Sequence, residues 1–373
     1  DYKTDMTNEL LYQLALTQVP NIGDVQAKIL LQYFGAASAI FKARQSSLEK
    51  IEGIGEVRAR SLKTFNDFHL AETEIKFIEK YKIKTLFLSD DAYPKRLLNC
   101  YDSPTLLFYK GTANLNHSRI IAIVGTRNCT DYGRHFTEDL IKDLANEDIM
   151  FVSGLALGID AIAHKASLKC NLPTVGVVGH GIERIYPSTH TGLAKDMVKQ
   201  GGGILTEFFS NVKPDKHNFP LRNRIVASMS DATIVIETDV KGGSMITAKL
   251  ADSYNKDVFA LPGRTTDKKS SGCNFLIKHN KAILLSNASD LLEAMGWNSI
   301  QPTKEKKTQR TLFIELSAEE NKIVELLKEK EFVHIDEINI RSGLNSSTIA
   351  SAILNLELQS IVQSLPGKRY KLI

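Results

Sequence analysis

The sequence lacks any long uncharged apolar run, although 43% of its 373 residues are hydrophobic. Because a helix needs about 20 consecutive apolar residues to cross a bilayer, no membrane-spanning segment and no membrane partner are predicted. Residues 1–16 also lack the basic start, apolar stretch and cleavage site of a secretory signal, which predicts a cytoplasmic protein. Residues 1–5 precede the first Met and are left out of the fold interpretation.

Cysteine is scarce as well, and no two cysteines form a C-x-x-C pair. The four are Cys100, Cys129, Cys170 and Cys273. Their spacing argues against a disulfide framework and against a zinc site, so we expect reduced, partly buried thiols and no metal. The net charge is only +4, from 47 Lys and Arg against 43 Asp and Glu, which permits a nucleic-acid partner without requiring one.

Hydrophobic periodicity divides the chain into three domains and a linker. Residues 6–80 read as short helices interrupted by glycines, and residues 81–297 alternate apolar runs with amphipathic segments. A polar, basic linker is predicted at 298–312, followed by a compact domain at 313–373.

Two similar phrases mark the first domain, V-P-N-I-G at 19–23 and I-E-G-I-G at 51–55, each ahead of a helical pattern. Such phrases are typical of helix-hairpin-helix motifs, in which glycine lets the backbone approach a DNA phosphate. An αα-hairpin that serves only packing or protein contacts is an equally open interpretation.

The second domain contains six short apolar runs separated by helical segments. They are R-I-I-A-I-V-G (119–125), M-F-V-S-G (150–154), T-V-G-V-V-G (174–179), G-I-L-T-E (203–207), A-T-I-V-I-E (232–237) and D-V-F-A-L-P-G (257–263). Continuous apolarity indicates strands buried on both faces, hence an α/β fold with a doubly wound, Rossmann-like parallel sheet. In such sheets ligands bind beyond the carboxyl ends of the strands.

The first of these runs ends in Gly125, Thr126 and Arg127, which is not the G-x-G-x-x-G of a dinucleotide site. No cofactor is therefore predicted. A glycine turn with an Arg at its tip can instead hold a single phosphate. The second run leads to Asp160, expected to cap the following helix, and to His164, expected to be structural because no catalytic arrangement accompanies it.

Segment 213–224 combines four Lys or Arg with one Asp and has Phe219 among them, the composition of a groove for single-stranded nucleic acid. Its candidate residues are Lys216, Phe219, Arg222 and Arg224, and a helix is expected from about Leu221. The alternative is that Phe219 is a packing plug and that both arginines pair with carboxylates inside the fold.

Two later strand-end loops are also suited to an anion. Gly242, Gly243 and Ser244 open a helix, and Arg264, Lys268 and Lys269 follow the last run. Loops that are glycine-rich and basic together favour one shared anionic ligand.

Five phrases in series give the chain a family resemblance. They are V-G-T-R-x-x-T-x-Y-G, S-G-x-A-x-G-I-D-x-x-A-H, F-P-x-R-N-R-I-V-A, G-G-S-M-I-T-A and P-G-R-x-x-x-x-x-S-x-G-x-N-x-L-I. The chain thereby resembles the DprA/Smf family of DNA-processing proteins in natural transformation. The resemblance implies an extended Rossmann-like domain that binds and protects single-stranded DNA, forms a homodimer and helps to load RecA recombinase, with single-strand binding protein as a further expected partner.

The resemblance also assigns roles to individual residues, Arg127 to a phosphate, Lys216 to the DNA backbone and Phe219 to stacking on a base. The sequence departs from the family pattern in two places. Phe208 stands where a proline is expected after Glu207, and His180 and His190 replace small or amide residues near Tyr186-Pro187.

The last domain reads as a winged helix, with residues 346–357 as its recognition helix. That helix contains no Lys or Arg, so phosphate contacts are expected only from Lys368, Arg369 and Lys371 on the wing, and a protein-contact or regulatory role is equally open. For the whole chain, non-enzymatic DNA binding is the leading prediction. A nucleotide-processing hydrolase and a duplex-DNA regulator are the alternatives.

Overall fold

The computed structural model describes residues 2–297, 316–330, 332–359, 361–365 and 368–372, with the backbone alone for residues 2–8. The predicted linker at 298–312 lies outside the described residues. The chain forms two compact units, 1–298 and 299–373. Among the described residues, no helix has both the length and the apolar character that a bilayer crossing requires.

The first unit begins with a helical part whose apolar core also includes Phe87, Phe108 and Phe209 from the rest of the unit. Its helices are α1 (Tyr2–Leu16), α2 (Asp24–Phe34), α3 (Ala37–Lys42), α4 (Gln45–Glu49), α5 (Gly55–Thr64) and α6 (His69–Tyr81). The first glycine phrase ends directly before α2, and the second ends on Gly55, the first residue of α5. The apolar residues of the two phrases are buried in this core, namely Val19, Ile22, Ile51 and Ile54. The burial agrees with either interpretation of the hairpins, so their DNA contact stays a prediction.

The rest of the first unit, as described, is built on one nine-stranded sheet in the order β1-β2-β6-β5-β4-β3-β7-β8-β9. The strands are β1 (Lys84–Phe87), β2 (Leu106–Gly111), β3 (Arg119–Gly125), β4 (Ile149–Ser153), β5 (Thr174–Val177), β6 (Gly203–Thr206), β7 (Ala232–Ile236), β8 (Asp257–Ala260) and β9 (Ile283–Leu284). Strands β3 to β9 pair in parallel, and β1 and β2 add an antiparallel edge. The Rossmann-like prediction is confirmed, while β1, β2 and β9 were not predicted.

Helices cover both faces of the sheet. They are α7 (Lys95–Leu98), α8 (Asp131–Asp143), α9 (Ile159–Lys169), α10 (Thr191–Lys199), α11 (Asn218–Ser228), α12 (Gly243–Ser253), α13 (Ser271–Lys278) and α14 (Ala288–Ala294), with short 3-10 turns at Ser188–His190 and Lys268–Ser270. Alternate residues of β3 enter different cores. Ile120 and Ala122 pack with Ile225 of α11, whereas Ile121 packs with Leu140 of α8. A strand buried on both faces explains its continuous apolar run.

Buried polar contacts join the helical part to the sheet. The Asp24 carboxylate accepts hydrogen bonds from the Thr105 amide at 2.8 Å and from the Arg224 guanidinium at 3.1 Å. The Glu74 carboxylate, on α6, accepts from the Ser210 amide at 3.0 Å and from the Ser210 hydroxyl at 2.7 Å. Because Ser210 precedes segment 213–224 and Arg224 is its last residue, these contacts hold both ends of the segment to the helical part.

The second unit is a winged helix, as predicted. Its described elements are α15 (Ala318–Lys328), β10 (Val333–His334), α16 (Ile335–Ser342), α17 (Ser346–Leu358), β11 (Val362–Leu365) and β12 (Arg369–Leu372). The strands form an antiparallel sheet in the order β10-β12-β11. Helix α17 matches the predicted recognition helix, and the Pro366-Gly367 turn lies outside the described residues.

Candidate nucleic-acid interface

A pocket of about 480 Å³ opens where β3 and β7 lie side by side. From β3 the chain continues through β4, β5 and β6 on one side, and from β7 it continues through β8 and β9 on the other. The pocket therefore lies at the topological switch point of the sheet, where ligands usually bind in this fold class. Most of the predicted site residues line it, namely Gly125, Thr126, Arg127, Lys216, Phe219, Arg222, Gly242, Gly243 and Ser244.

The turn after β3 brings Arg127 to the pocket. A side chain at Gly125 would overlap the Ile236 carbonyl, so only glycine lets the neighbouring strand approach so closely. The Thr126 amide donates to the Glu237 carbonyl at 2.8 Å, which fixes the start of the turn. The Arg127 guanidinium then lies 5.9 Å from the centroid of the Phe219 ring, a cation–π distance.

The start of α11 brings a ring and a cation to the opposite wall. The helix begins at Asn218 rather than near Leu221, so Phe219 is in its first turn. The Phe219 ring is half-buried against Gly179, whereas Lys216, which precedes the helix, is exposed. The structure thus brings together the three residues to which the family resemblance assigns DNA contacts.

Arg222 forms part of the pocket floor. The residue is only 6% exposed, and its Nη1 donates to the Val177 carbonyl at 2.7 Å, while Nε has no partner among the described residues. Burial lowers the pKa of Arg222, and the charge of Asp160 opposes that effect. Burial raises the pKa of Asp160, while the charge of Arg222 acts to lower it. Its carboxylate accepts from the Gly154 amide at 3.1 Å instead of capping α9, whose N-cap is Gly158.

Arg224 is a correction to the sequence prediction, because its side chain does not line the pocket. It is buried in a charge cluster where it donates to the Glu207 carboxylate, to the Asp102 carbonyl and to the Asp24 carboxylate. Its partners come from distant parts of the chain, which is why sequence alone left the alternative of an internal ion pair open. We therefore omit Arg224 from the interface.

Arg264, Lys268 and Lys269 line a separate cavity of about 650 Å³. This second cavity also includes Tyr132 and Glu237. The two cavities are neighbours, since Glu237 lines one and the next residue, Thr238, lines the other. The last basic loop therefore lies beside the pocket rather than in it.

Helix α12 begins at the pocket, as predicted. Its N-cap is Gly242, where a side chain would overlap the Thr238 hydroxyl, and the Gly242 amide donates to the Asp239 carbonyl at 2.8 Å. Gly243 and Ser244 follow in the first turn, whose amides have no acceptor within the helix. A helix start of this kind favours an anion.

His164 has the structural role that its pattern predicted. It is fully buried, and its Nδ1 lies 2.6 Å from the Thr174 hydroxyl. Burial lowers the pKa of His164 to about 3, so the ring is neutral in the folded protein. Sequence reasoning did miss Tyr186, a half-exposed ring whose centroid lies 6.2 Å from that of Phe219. No local motif links these two distant rings.

The fold and the pocket define a Rossmann-like protein whose sheet-edge pocket is lined by Arg127, Lys216 and the Phe219 ring, with a winged helix as its second unit. Comparison with known families gives this class a name. The family model of DNA recombination-mediator protein A matches residues 84–296, and that of the DprA winged helix domain matches residues 308–368. The chain belongs to the DprA/Smf family.

Similar proteins and structures are found in several bacteria. Protein Smf of Synechocystis is 31% identical over 98% of this chain and 99% of its own length, and DprA of Bacillus subtilis is 39% identical over 60% and 74%. The crystal structure of Streptococcus pneumoniae DprA matches with 31% identity and a TM-score of 0.66, covering 76% of this chain and 97% of that one. A structure on the single-stranded DNA binding mode of Helicobacter pylori DprA matches with 32% identity and a TM-score of 0.52, covering 57% and 95%.

Proposed function

We propose that this chain binds single-stranded DNA without strong sequence preference, protects it and helps to load RecA recombinase onto it, as a homodimer and without catalysing a reaction. The observation that carries the proposal is the convergence of Arg127, Lys216 and Phe219 on one pocket. The Helicobacter pylori relative, whose structure concerns binding of single-stranded DNA, supports it.

The pocket combines the two contacts that a single strand offers to a protein. The turn at Arg127 and the start of α12 at Gly243 lie on its walls and suit a phosphate. The Phe219 ring offers a surface for a base, and Lys216 adds a charge for the backbone. Stacking tolerates every base because each has a π-face, so an arrangement of this kind binds DNA of any sequence.

Titration of a fluorescent oligothymidine at several salt concentrations tests the pocket. Arg127→Ala and Lys216→Ala should each weaken binding and reduce the slope of log affinity against log salt by about 0.7, the value for one phosphate contact on a single strand. Phe219→Ala should weaken binding by about 1–3 kcal/mol with little change in that slope. Lys213→Ala is the matched control, since Lys213 is an exposed cation of the same segment that does not line the pocket.

Unchanged affinity and slope in folded Arg127→Ala and Lys216→Ala proteins would refute the pocket as the DNA site. A duplex oligonucleotide of equal length should bind more weakly, and tighter duplex binding would favour a duplex regulator instead. RecA loading is tested by RecA filament formation on a strand covered with single-strand binding protein. The wild-type chain should accelerate it and Arg127→Ala should not. Nucleotide hydrolysis above background would contradict the non-enzymatic part of the proposal.

A further inference from the structure

Glu237 is a buried carboxylate beside the proposed DNA pocket, and the proposed function does not use it. It follows β7 directly and is only 3% exposed. Its φ is 49°, in the left-handed region that side-chain-bearing residues seldom adopt. Such a backbone persists only where surrounding contacts enforce it, and at Glu237 three hydrogen bonds come from the loop that follows β3.

Glu237 holds both ends of the loop that carries Arg127. At the start of the loop, the Glu237 carbonyl accepts from the Thr126 amide at 2.8 Å. At its end, the carboxylate accepts from the Thr130 amide at 2.8 Å and also from the Thr130 hydroxyl. Only residues 127–129 lie between the two attachment points, so the contacts of Glu237 limit where the Arg127 guanidinium can lie.

The carboxylate also fills the position at which many Rossmann-like proteins bind a phosphate. Thr130 is the N-cap of α8, the helix that follows β3, and a side chain at Gly133 in its first turn would lie 2.7 Å from the Glu237 carboxyl carbon. The first helix of such a fold commonly directs its N-terminus at a ligand phosphate. Here the protein's own anion lies there, and the proposed phosphate position is the neighbouring pocket at Arg127.

We propose that Glu237 is the positioning residue for Arg127, holding its loop so that the guanidinium faces a DNA phosphate beside Phe219. The inference rests on the proposed function, since it assigns Arg127 to DNA. The Glu237 side chain lines the neighbouring cavity and does not line the DNA pocket.

The sign of the effect separates positioning from simple electrostatics. Removing a carboxylate near a polyanion site should by charge alone strengthen DNA binding. A positioning role predicts the opposite, because Arg127 loses its fixed orientation. Glu237→Ala should therefore weaken oligothymidine binding about tenfold, the magnitude expected for one hydrogen bond to a charged group, and lower the salt slope as Arg127→Ala does.

A double-mutant cycle tests the assignment. If Glu237 acts through Arg127, Glu237→Ala adds nothing in the Arg127→Ala background, so the two losses are not additive. Glu237→Gln keeps an oxygen for the Thr130 amide but offers a donor where the Thr130 hydroxyl now donates, so it should bind DNA more tightly than Glu237→Ala. Asp131→Ala is the matched control, because it removes an exposed carboxylate from the same helix start.

The outcomes are distinguishable from failure of the proposed function. If Arg127→Ala binds normally, the proposed function fails first. If Arg127→Ala is impaired but Glu237→Ala binds normally, or loses the same factor in both backgrounds, the positioning role is refuted. Should Glu237→Ala not fold, Thr130→Val removes one of the carboxylate contacts and should weaken binding only when Arg127 is present. If Thr130→Val weakens DNA binding equally in the Arg127→Ala background, the positioning role of Glu237 is refuted as well.

Discussion

Replacing Glu207 with Gln should change how the stability of residues 1–298 depends on pH. Glu207 follows β6, and its side chain is 13% exposed. One carboxylate oxygen accepts from Arg224, and the other, Oε1, has no partner among the described residues. Burial raises the pKa of Glu207 to about 7, although the charge of Arg224 acts to lower it. The nearby carboxylates of Asp24 and Asp102 add to the rise.

The sign of the effect follows from proton binding. Between pH 4.5, the ordinary pKa of Glu, and about pH 7, the folded protein holds a proton that the unfolded chain has released. Stability therefore falls as pH rises through this interval, by about 1.4 kcal/mol for each pH unit and about 3 kcal/mol altogether. The buried His164, with its pKa of about 3, acts in the opposite direction, since its stabilising contribution is lost at low pH. Because both proteins contain His164, its contribution cancels when the stability of Glu207→Gln is subtracted from that of wild type.

The only Trp of the chain provides the assay. Trp297 packs on the first unit, with the Arg119 guanidinium 5.4 Å from its ring centroid, so its fluorescence reports unfolding of this unit. Urea titrations from pH 4.5 to pH 8 should show wild type losing about 3 kcal/mol relative to Glu207→Gln as pH rises to about 7. Glu183→Gln, a half-exposed control that keeps Glu207, should lose stability with rising pH as wild type does. A pH-independent difference between wild type and Glu207→Gln would refute the reasoning.

Two further predictions use the same fluorescence assay. A side chain at Gly154 would overlap the Arg222 guanidinium, so Gly154→Ala should destabilise the unit by about 1–3 kcal/mol. At Gly243 no atom lies within 4 Å of the new Cβ, so Gly243→Ala should change the stability by less than about 0.5 kcal/mol. Equal effects of both substitutions would contradict the packing argument. Glu74→Ala should lower the stability by about 1–3 kcal/mol, because the Ser210 amide and hydroxyl lose their acceptor. If the variant is as stable as wild type, this contact contributes nothing.

The central strands could be predicted because burial on both faces leaves a continuous apolar run in the sequence. Strand β3 shows this directly, since neighbouring residues Ile120 and Ile121 enter different cores. The antiparallel edge strands were missed. Their apolar runs, at 85–88 and 105–109, are as long as those that were read as strands, but only the four-residue helix α7 lies between them. They therefore fall outside the alternation of strands and long amphipathic helices on which the prediction rested.

The pocket could be predicted in outline because the carboxyl ends of parallel strands meet at one edge, whatever their order along the chain. That rule brought Arg127 and Phe219 together correctly. It does not say which way a side chain points, so Arg224, only two residues after Arg222, was placed with the DNA contacts although it turns to Glu207. The role inferred for Glu237 depends on loop hydrogen bonds that no residue pattern specifies.

The two glycine hairpins show how a motif can be recognised while its use stays open. In the first hairpin, the helix start directs Asp24 to Thr105 and Arg224, and the Gly23 amide donates to the Gln26 side chain at 3.2 Å. One backbone donor of this helix start, the Gly23 amide, and the charge of Arg224 are therefore engaged within the protein, which favours a docking role for this hairpin. The second hairpin places the exposed Glu56 at its helix start, and a carboxylate there repels a phosphate. Both hairpins thus have an acidic residue in the first turn of the helix that follows.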